Sequence, residues 1–173
     1  MLDVLLDDPP LLAVNKPAGL LTQGPPAAAL SLDRLVKEYI RERSGKTGNV
    51  YLGVPHRLDR AVTGVVVFAR NSKAAGRLAE MFRERQVRKT YWAVVEQAPS
   101  QPSGTLTDFL RKIPDQAKAE VFSSAEADAQ KALLEYKVVR QTAGGCLLEI
   151  EIETGRYHQI RAQLAHHGWP VVG

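Results

Sequence analysis

Four side chains capable of nucleophilic, acid–base or anion-binding chemistry lie within five consecutive positions: His56, Arg57, Asp59 and Arg60. Asp59 stands between two arginines, and nearby positive charge favours the ionised form of a carboxyl group. An aspartate that is ionised at neutral pH is suited to act as a nucleophile or a base, and less suited to act as a general acid. A structural ion pair within a loop is the alternative that these residues alone leave open.

The elements on either side of this loop can be predicted from hydrophobic patterning. A turn at Thr63 leads into residues 64–69, a short apolar run rich in β-branched side chains that is typical of a buried strand. Two more strands are predicted on either side of the proline-containing turn at 7–10. Short apolar runs, or alternating polar and apolar residues, predict strands in the rest of the chain: 49–54, 90–96, 104–110, 117–122, 131–139 and 146–154.

Apolar residues at helical spacing predict three helices. The first follows Ser31, a residue typical of an N-cap, and ends at Gly45; a linker is expected just before it, at 25–29. The second helix follows Asn71, and the third covers 158–167. Together these elements predict an α+β fold with a mixed, mostly antiparallel sheet and flanking helices, built as a single domain.

Composition excludes several classes of protein. The chain has 173 residues and a net charge of +4, from 23 basic and 19 acidic residues, so one domain with a modest preference for polyanions is expected. The only cysteine, Cys146, excludes an internal disulfide, disfavours a cysteine zinc site and favours a reducing cytoplasm. No apolar run approaches about 18 residues, and the acidic N-terminus does not resemble a signal peptide, so no membrane association is expected.

The basic residues cluster on the second predicted helix and in the turn that follows it. Six cations share this segment: Lys73, Arg77, Arg83, Arg85, Arg88 and Lys89. Only Glu80 and Glu84 oppose them, so the segment is either a face that contacts phosphates or a solvated helix face. Lys16, in the loop after the second strand, has the same two interpretations: a phosphate contact or a solvated lysine.

Four blocks of sequence occur in an order that points to a family. They are LLAVNKPAGLLTQ (11–23), HRLD followed by a turn and an apolar strand (56–69), RKTYWAVV (88–95) and TGRYHQIRAQLAHHGWPVVG (154–173). Together they resemble the RluA-like family of RNA pseudouridine synthases, without the separate N-terminal RNA-binding domain of some members. The resemblance implies the pseudouridine synthase catalytic fold over residues 1–173. It also implies that this domain is incomplete at its C-terminus, because the family continues past the final glycine with further strands.

The resemblance implies an isomerase that detaches uracil from its ribose and rejoins it through C5. It makes Asp59 the catalytic nucleophile, Tyr91 the ring that lies against uracil, and Arg161 the partner of the aspartate. Arg57 is expected to fill the space left by the extruded nucleotide. Further substrate-binding residues are expected beside these blocks: His56, Arg60, Thr63, Lys89, Arg156, His158 and Gln159.

The chemistry of such a reaction agrees with these residue types. Extruding a stacked uridine costs about a few kcal/mol, which a guanidinium stacked in the vacated space partly offsets. Tyrosine offers the flat apolar face that the extruded ring needs. The reaction needs no redox step and no metal-activated leaving group, so no cofactor and no metal are expected. The expected partner is structured ribosomal or transfer RNA, bound by a monomer.

Three positions depart from the family pattern. Tyr157 stands where a small hydroxyl residue is usual, Thr63 where serine is common, and Gln163 where histidine or a similar residue is usual. A metal hydrolase is disfavoured because the four histidines show no zinc-binding spacing. The remaining alternative is a catalytically silent RNA-binding module on the same fold.

Overall fold

The computed structural model of the protein describes residues 2–25, 30–45 and 47–172. Most of the predicted linker, residues 26–29, therefore lies outside the described residues, as does the last residue of the chain. Contacts divide the chain into two compact units, which we call unit 1 (Met1–Gln86) and unit 2 (Val87–Gly173). The single domain expected from the sequence stays a prediction.

Unit 1 is a three-stranded antiparallel sheet with two helices. Its elements are, in chain order, β1 (Asp3–Asp8), β2 (Leu11–Lys16), α1 (Leu32–Ser44), β3 (Gly64–Ala69) and α2 (Ser72–Arg83). β2 is the central strand and pairs with β1 on one side and β3 on the other. β2 buries Leu12, Ala13 and Val14 in succession, which accounts for its lack of alternation. In β3, Val66 and Phe68 are buried but Val65 is 54% exposed, so the continuous burial predicted for 64–69 is wrong at that position.

The two helices of unit 1 begin differently. Asn71 caps α2, since its side-chain oxygen accepts a hydrogen bond of 2.8 Å from the backbone nitrogen of Ala74. Ser31 occupies the N-cap position of α1 with extended backbone, but its hydroxyl bonds the Asp33 carboxylate instead of a helix N–H. The cap predicted for Ser31 is therefore wrong in its hydrogen bond, because a nearer carboxylate competes for the hydroxyl. Gly45 ends α1 as predicted, in a left-handed conformation.

The strand predicted at 49–54 is wrong. Only Gly53 pairs there, through an isolated bridge in which two backbone hydrogen bonds of 2.8 and 3.0 Å join it to Ala69 at the end of β3. A side chain at Gly53 would overlap Ala75 of α2, so the close approach of the helix requires glycine at this point. The apolar residues that suggested a strand are used instead for contacts in a loop.

Unit 2 is a five-stranded antiparallel sheet with one helix. Its elements are β4 (Thr90–Val95), β5 (Ser103–Lys112), β6 (Ala119–Phe122), β7 (Gln130–Thr142), β8 (Gly145–Ile152) and α3 (Gln159–His166). The strands are ordered β4-β8-β7-β5-β6. The alternation predicted for β7 and β8 is confirmed, because one face of this hairpin is buried and the other is wet.

One core holds unit 2 together, and α3 covers it. Cys146, Leu148 and Ile150 of β8 are fully buried, and so is Leu164 of α3, which belongs to the same cluster. After α3 the chain returns to the edge of β4, where the Val172 amide donates a 2.8 Å hydrogen bond to the Val94 carbonyl. The α+β fold with antiparallel pairing and flanking helices is confirmed, with the described strands divided between two sheets. Within the described residues, no helix is long and apolar enough to cross a membrane.

Candidate active site

The loop that carries Asp59 is fixed on both sides of that residue. On one side, the Thr22 hydroxyl donates to the Leu58 carbonyl at 2.8 Å and accepts from the Leu58 amide at 3.0 Å. On the other side, the carbonyl of Arg60 accepts from the Gly19 amide at 2.8 Å, and the Arg60 side chain donates to the Gly19 carbonyl at 2.9 Å. Asp59 itself is half-buried. The segment after β2 therefore fixes the backbone on both sides of Asp59.

Lys16, at the end of β2, is fully buried beneath this loop. Its ammonium group donates to three backbone carbonyls: Pro17 at 2.9 Å, Leu20 at 2.7 Å and Arg60 at 3.2 Å. Burial lowers the pKa of Lys16 from its ordinary value of 10.5, and the negative charge of Asp59 partly opposes that shift. Both interpretations drawn from the sequence, a phosphate contact and a solvated lysine, are wrong, because the amine is used to hold the loop together.

The other predicted residues of this loop are either packed against neighbouring elements or exposed. The His56 ring accepts a 3.0 Å hydrogen bond at Nε2 from the Val67 amide and stacks on Phe82, with 4.8 Å between ring centroids. His56 therefore joins the loop to β3 and α2. Arg57, Arg60 and Thr63 are exposed, so two guanidinium groups and a hydroxyl are available to a ligand around the half-buried aspartate.

In unit 2, the loop between β8 and α3 is organised by the buried amide of Gln159. Its oxygen accepts from the Thr154 hydroxyl at 2.8 Å and from the Arg156 amide at 3.0 Å, while its nitrogen donates to the Leu133 carbonyl at 3.1 Å. Arg156 adds a 2.9 Å bond from its side chain to the carbonyl of Lys131. The structure thus gives Gln159 a positioning function in the loop, and its predicted contact with substrate stays a prediction.

The same loop leads into a cleft of about 250 Å³ beside α3. His158 and Arg161 both line it, together with Lys118, Ala119 at the start of β6, and Val171. His158 has a left-handed backbone (φ 51°), which is uncommon for a residue other than glycine, and its carbonyl accepts the first helical hydrogen bond, 2.9 Å from the Ala162 amide. Two of the predicted site residues of unit 2 therefore share one cationic cleft.

Tyr91 and Lys89 lie at and just before the start of β4. Tyr91 is half-buried, pairs with Ile150 of β8 and packs against the core of unit 2. The carbonyl of Lys89 accepts a 3.2 Å hydrogen bond from the Ile152 amide, which extends this pairing by one step. The tyrosine ring is consequently held by the sheet on one side.

A buried polar cluster that the sequence did not predict joins β5 to α3. The Asp108 carboxylate accepts a 2.7 Å bond from the Gln163 amide nitrogen and lies 3.2 Å from Nε2 of His167. Gln163, noted above only as a departure from the family pattern, is fully buried. The available signal was the polar residue between Leu106 and Leu110 in the buried row of β5. Among the described residues, no group of three or more acidic, histidine or cysteine side chains is placed to hold a metal ion.

Comparisons with known proteins agree with the sequence blocks. The sequence profile of a family described as RNA pseudouridylate synthase matches residues 10–166. The tRNA pseudouridine synthase C of Vibrio parahaemolyticus is 33% identical over 183 residues, which cover 99% of this chain and 72% of the relative. Ribosomal large subunit pseudouridine synthase D of Xylella fastidiosa is 34% identical over 173 residues, covering 99% of this chain and 50% of the relative. Among solved structures, Human RNA Pseudouridylate Synthase Domain Containing 4 matches with a TM-score of 0.83 at 29% identity, covering 99% of this chain and 67% of that one.

Proposed function

Because this chain belongs to the RluA-like RNA pseudouridylate synthase family, we propose that it isomerises specific uridines of structured ribosomal or transfer RNA to pseudouridine. The names of its relatives support this substrate class, since one is named for transfer RNA and another for the large ribosomal subunit. The chain spans 72% of the length of the first of these relatives and 50% of the second. The activity of the relatives is therefore a proposal for this chain.

The reaction exchanges one glycosidic bond for another. The bond from N1 of uracil to the ribose breaks, a bond from C5 to the same carbon forms, C5 loses its proton and N1 gains one. A carboxylate nucleophile divides this exchange into two easier steps, and Asp59 is the residue that we propose for it. Tyr91 would hold the extruded ring, and Arg161 would supply positive charge to the aspartate. Arg57 would occupy the space that the nucleotide leaves.

The observation that carries the proposal is that the backbone is hydrogen-bonded on both sides of Asp59. Its two neighbours, Leu58 and Arg60, are each bonded to the segment after β2, and Lys16 places a buried amine beneath them. A structural ion pair in a loop needs no such scaffold, whereas a nucleophile does, because misplacement by about 1 Å can cost on the order of 100-fold in rate.

The first experiment replaces the carboxylate by an amide of the same shape. Asp59→Asn should abolish release of tritium from RNA labelled at C5 of uridine, while RNA affinity stays within a few fold. Asp8→Asn, at an exposed position of β1, is the matched control and should keep the parent rate. Residual turnover above about one percent of the parent rate would contradict the assignment.

The role of Tyr91 can be separated into its ring and its hydroxyl. Tyr91→Phe keeps the ring and should bind RNA as the parent does, whereas Tyr91→Ala should weaken binding and turnover together. A large fall in turnover for Tyr91→Phe alone would indicate that the hydroxyl takes part in removal of the C5 proton.

The target uridine can be found by mapping pseudouridines in total RNA from strains with and without the gene. A missing pseudouridine in ribosomal or transfer RNA supports the proposal and identifies the site. RNA binding without any turnover on that RNA would favour the catalytically silent RNA-binding module instead.

A further inference from the structure

Tyr157 is an exposed aromatic residue inside the cationic loop of unit 2. Its side chain stacks on His158, with ring centroids 4.0 Å apart and planes inclined by 18°. The ammonium group of Lys112 lies 5.0 Å from the centroid of the tyrosine ring, a cation–π distance. Tyr157 nevertheless remains 40% exposed. The exposed ring is thus both fixed by stacking and close to a cation.

The backbone that carries this ring is held on both sides. The backbone amide of Arg156 donates to the buried side-chain oxygen of Gln159. In return, the backbone amide of Gln159 donates to the Arg156 carbonyl at 3.2 Å. Between them, His158 takes its left-handed conformation, which turns its ring against that of Tyr157. The pair of rings is therefore positioned before any ligand arrives, which lowers the entropy cost of binding to it.

The charges around Tyr157 favour a polyanion. Arg156 is its neighbour in sequence, Lys112 contacts its ring, and Lys118 and Arg161 line the cleft that His158 also lines. The contrast is Trp92 on β4, which is 71% exposed but donates a 3.2 Å hydrogen bond to the Glu149 carboxylate. Tyr157 thus lies among cations, whereas Trp92 lies beside a carboxylate.

We propose that Tyr157, together with Lys112, is a stacking site for an unpaired base of the RNA that this protein binds; the choice of RNA as ligand rests on the proposed function. Aromatic faces stack on any base, so this contact adds affinity with little sequence preference. The base would stack on the face of Tyr157 opposite His158, and the flexible Lys112 ammonium, now 5.0 Å from the ring centroid, would move from that face to the phosphate of the same nucleotide. Tyr157 and Lys112 are not among the residues to which the reaction is assigned, so the contact would add affinity and not chemistry.

The test uses the full chain and an RNA hairpin with 2-aminopurine in its single-stranded loop, at low salt. Stacking on the tyrosine ring should quench the fluorescence of the probe in the parent protein. Tyr157→Thr should remove the quenching and weaken binding about tenfold, whereas Tyr157→Phe should bind within twofold of the parent. Lys112→Gln should weaken binding by a smaller factor and lower its salt dependence.

Trp92→Thr and Lys137→Gln are the matched controls, since each removes an exposed aromatic or cationic side chain elsewhere in unit 2. Unchanged affinity and quenching in Tyr157→Thr, or an equal loss in Trp92→Thr, would overturn the proposal. If the probe bound the parent protein without quenching, that result would also overturn the proposal, and it needs no variant. Turnover of Asp59→Asn is scored separately, so failure of the stacking site and failure of the proposed function give different results.

Discussion

Replacing Lys16 by methionine tests whether the buried ammonium holds the loop of Asp59. Methionine keeps an unbranched chain of similar length but offers no hydrogen-bond donor. The carbonyls of Pro17, Leu20 and Arg60 would each lose the bond that Lys16 now supplies. Asp59 would lose the positive charge next to it. We therefore expect both stability and catalysis to fall.

The size of the stability loss follows from two opposing terms. Each hydrogen bond from a charged donor contributes about 1.5–3 kcal/mol, and there are three of them. Removing the buried charge recovers a desolvation cost of several kcal/mol, the same cost that lowers the pKa of Lys16. Three carbonyls would lose their donor, and this loss is larger than the desolvation cost that is recovered. We therefore expect Lys16→Met to lower the free energy of unfolding by about 3 kcal/mol at neutral pH.

The loss should depend on pH in a defined direction. Because the pKa of Lys16 is lowered in the folded state, the unfolded chain binds more protons between that value and 10.5. The free energy of unfolding of the parent therefore rises with pH through this interval, and the variant lacks the contribution. The difference between them should be constant below the folded-state pKa and should widen as pH approaches 10.5.

Urea unfolding of parent and variant at several pH values measures both effects. Lys73→Met, at an exposed position of α2, controls for the loss of a lysine and should change the midpoint little. If Lys16→Met unfolded at the same urea concentration as Lys73→Met, the three carbonyl bonds would not stabilise the fold. A difference that stayed constant up to pH 10.5 would refute the linkage to the amine.

Three further predictions concern single elements. Asn71→Ala should cost about 1 kcal/mol by removing the cap of α2, measured by urea unfolding; Asn71→Ser, which keeps a capping oxygen, should recover most of it. Gly145→Ala should cost more than about 2 kcal/mol, because the added methyl group would overlap the Val95 carbonyl and the backbone is left-handed (φ 136°); a neutral result would contradict the close approach. Neutralising Arg77 and Arg83 together should weaken binding of every RNA about equally and reduce the slope of log affinity against log salt by roughly one per lost phosphate contact; an unchanged slope would make this face a solvated one.

Local patterning predicted much of the fold because each pattern has one physical cause. Alternation along β7 and β8 follows from a sheet with one buried face, and the three helices follow from apolar residues at helical spacing. The strand expected at 49–54 is absent, and its absence depends on tertiary contacts that a local sequence pattern does not report. Its apolar residues are used in a loop, and only Gly53 comes close enough to β3 to pair.

The sequence predicted which residues belong to the candidate site, but not which of them hold the loops in place. The HRLD block pointed to Asp59, but no local pattern distinguishes a lysine in solvent from Lys16, whose three acceptors include a residue 44 positions away. Likewise, Gln159 reads as a polar helix-start residue until its buried bond to Leu133 is seen, 26 positions away. Contacts of that range depend on tertiary packing, which periodicity does not report.

In the part of the chain that the structure describes, each unit has a fully buried side chain that a reagent can label: the amine of Lys16 in unit 1 and the thiol of Cys146 in unit 2. Cys146 is the only cysteine of the chain, so a thiol reagent can modify one position only, and only while β8 is open. Slow acylation of Lys16 reports opening of the loop after β2 in the same way. Labelling rates at the two sites, compared with the intrinsic rates of unfolded chain, give an opening free energy for each unit. Equal values would indicate that the loop after β2 and the strand β8 open in one cooperative event, and unequal values would mean that they open in separate events.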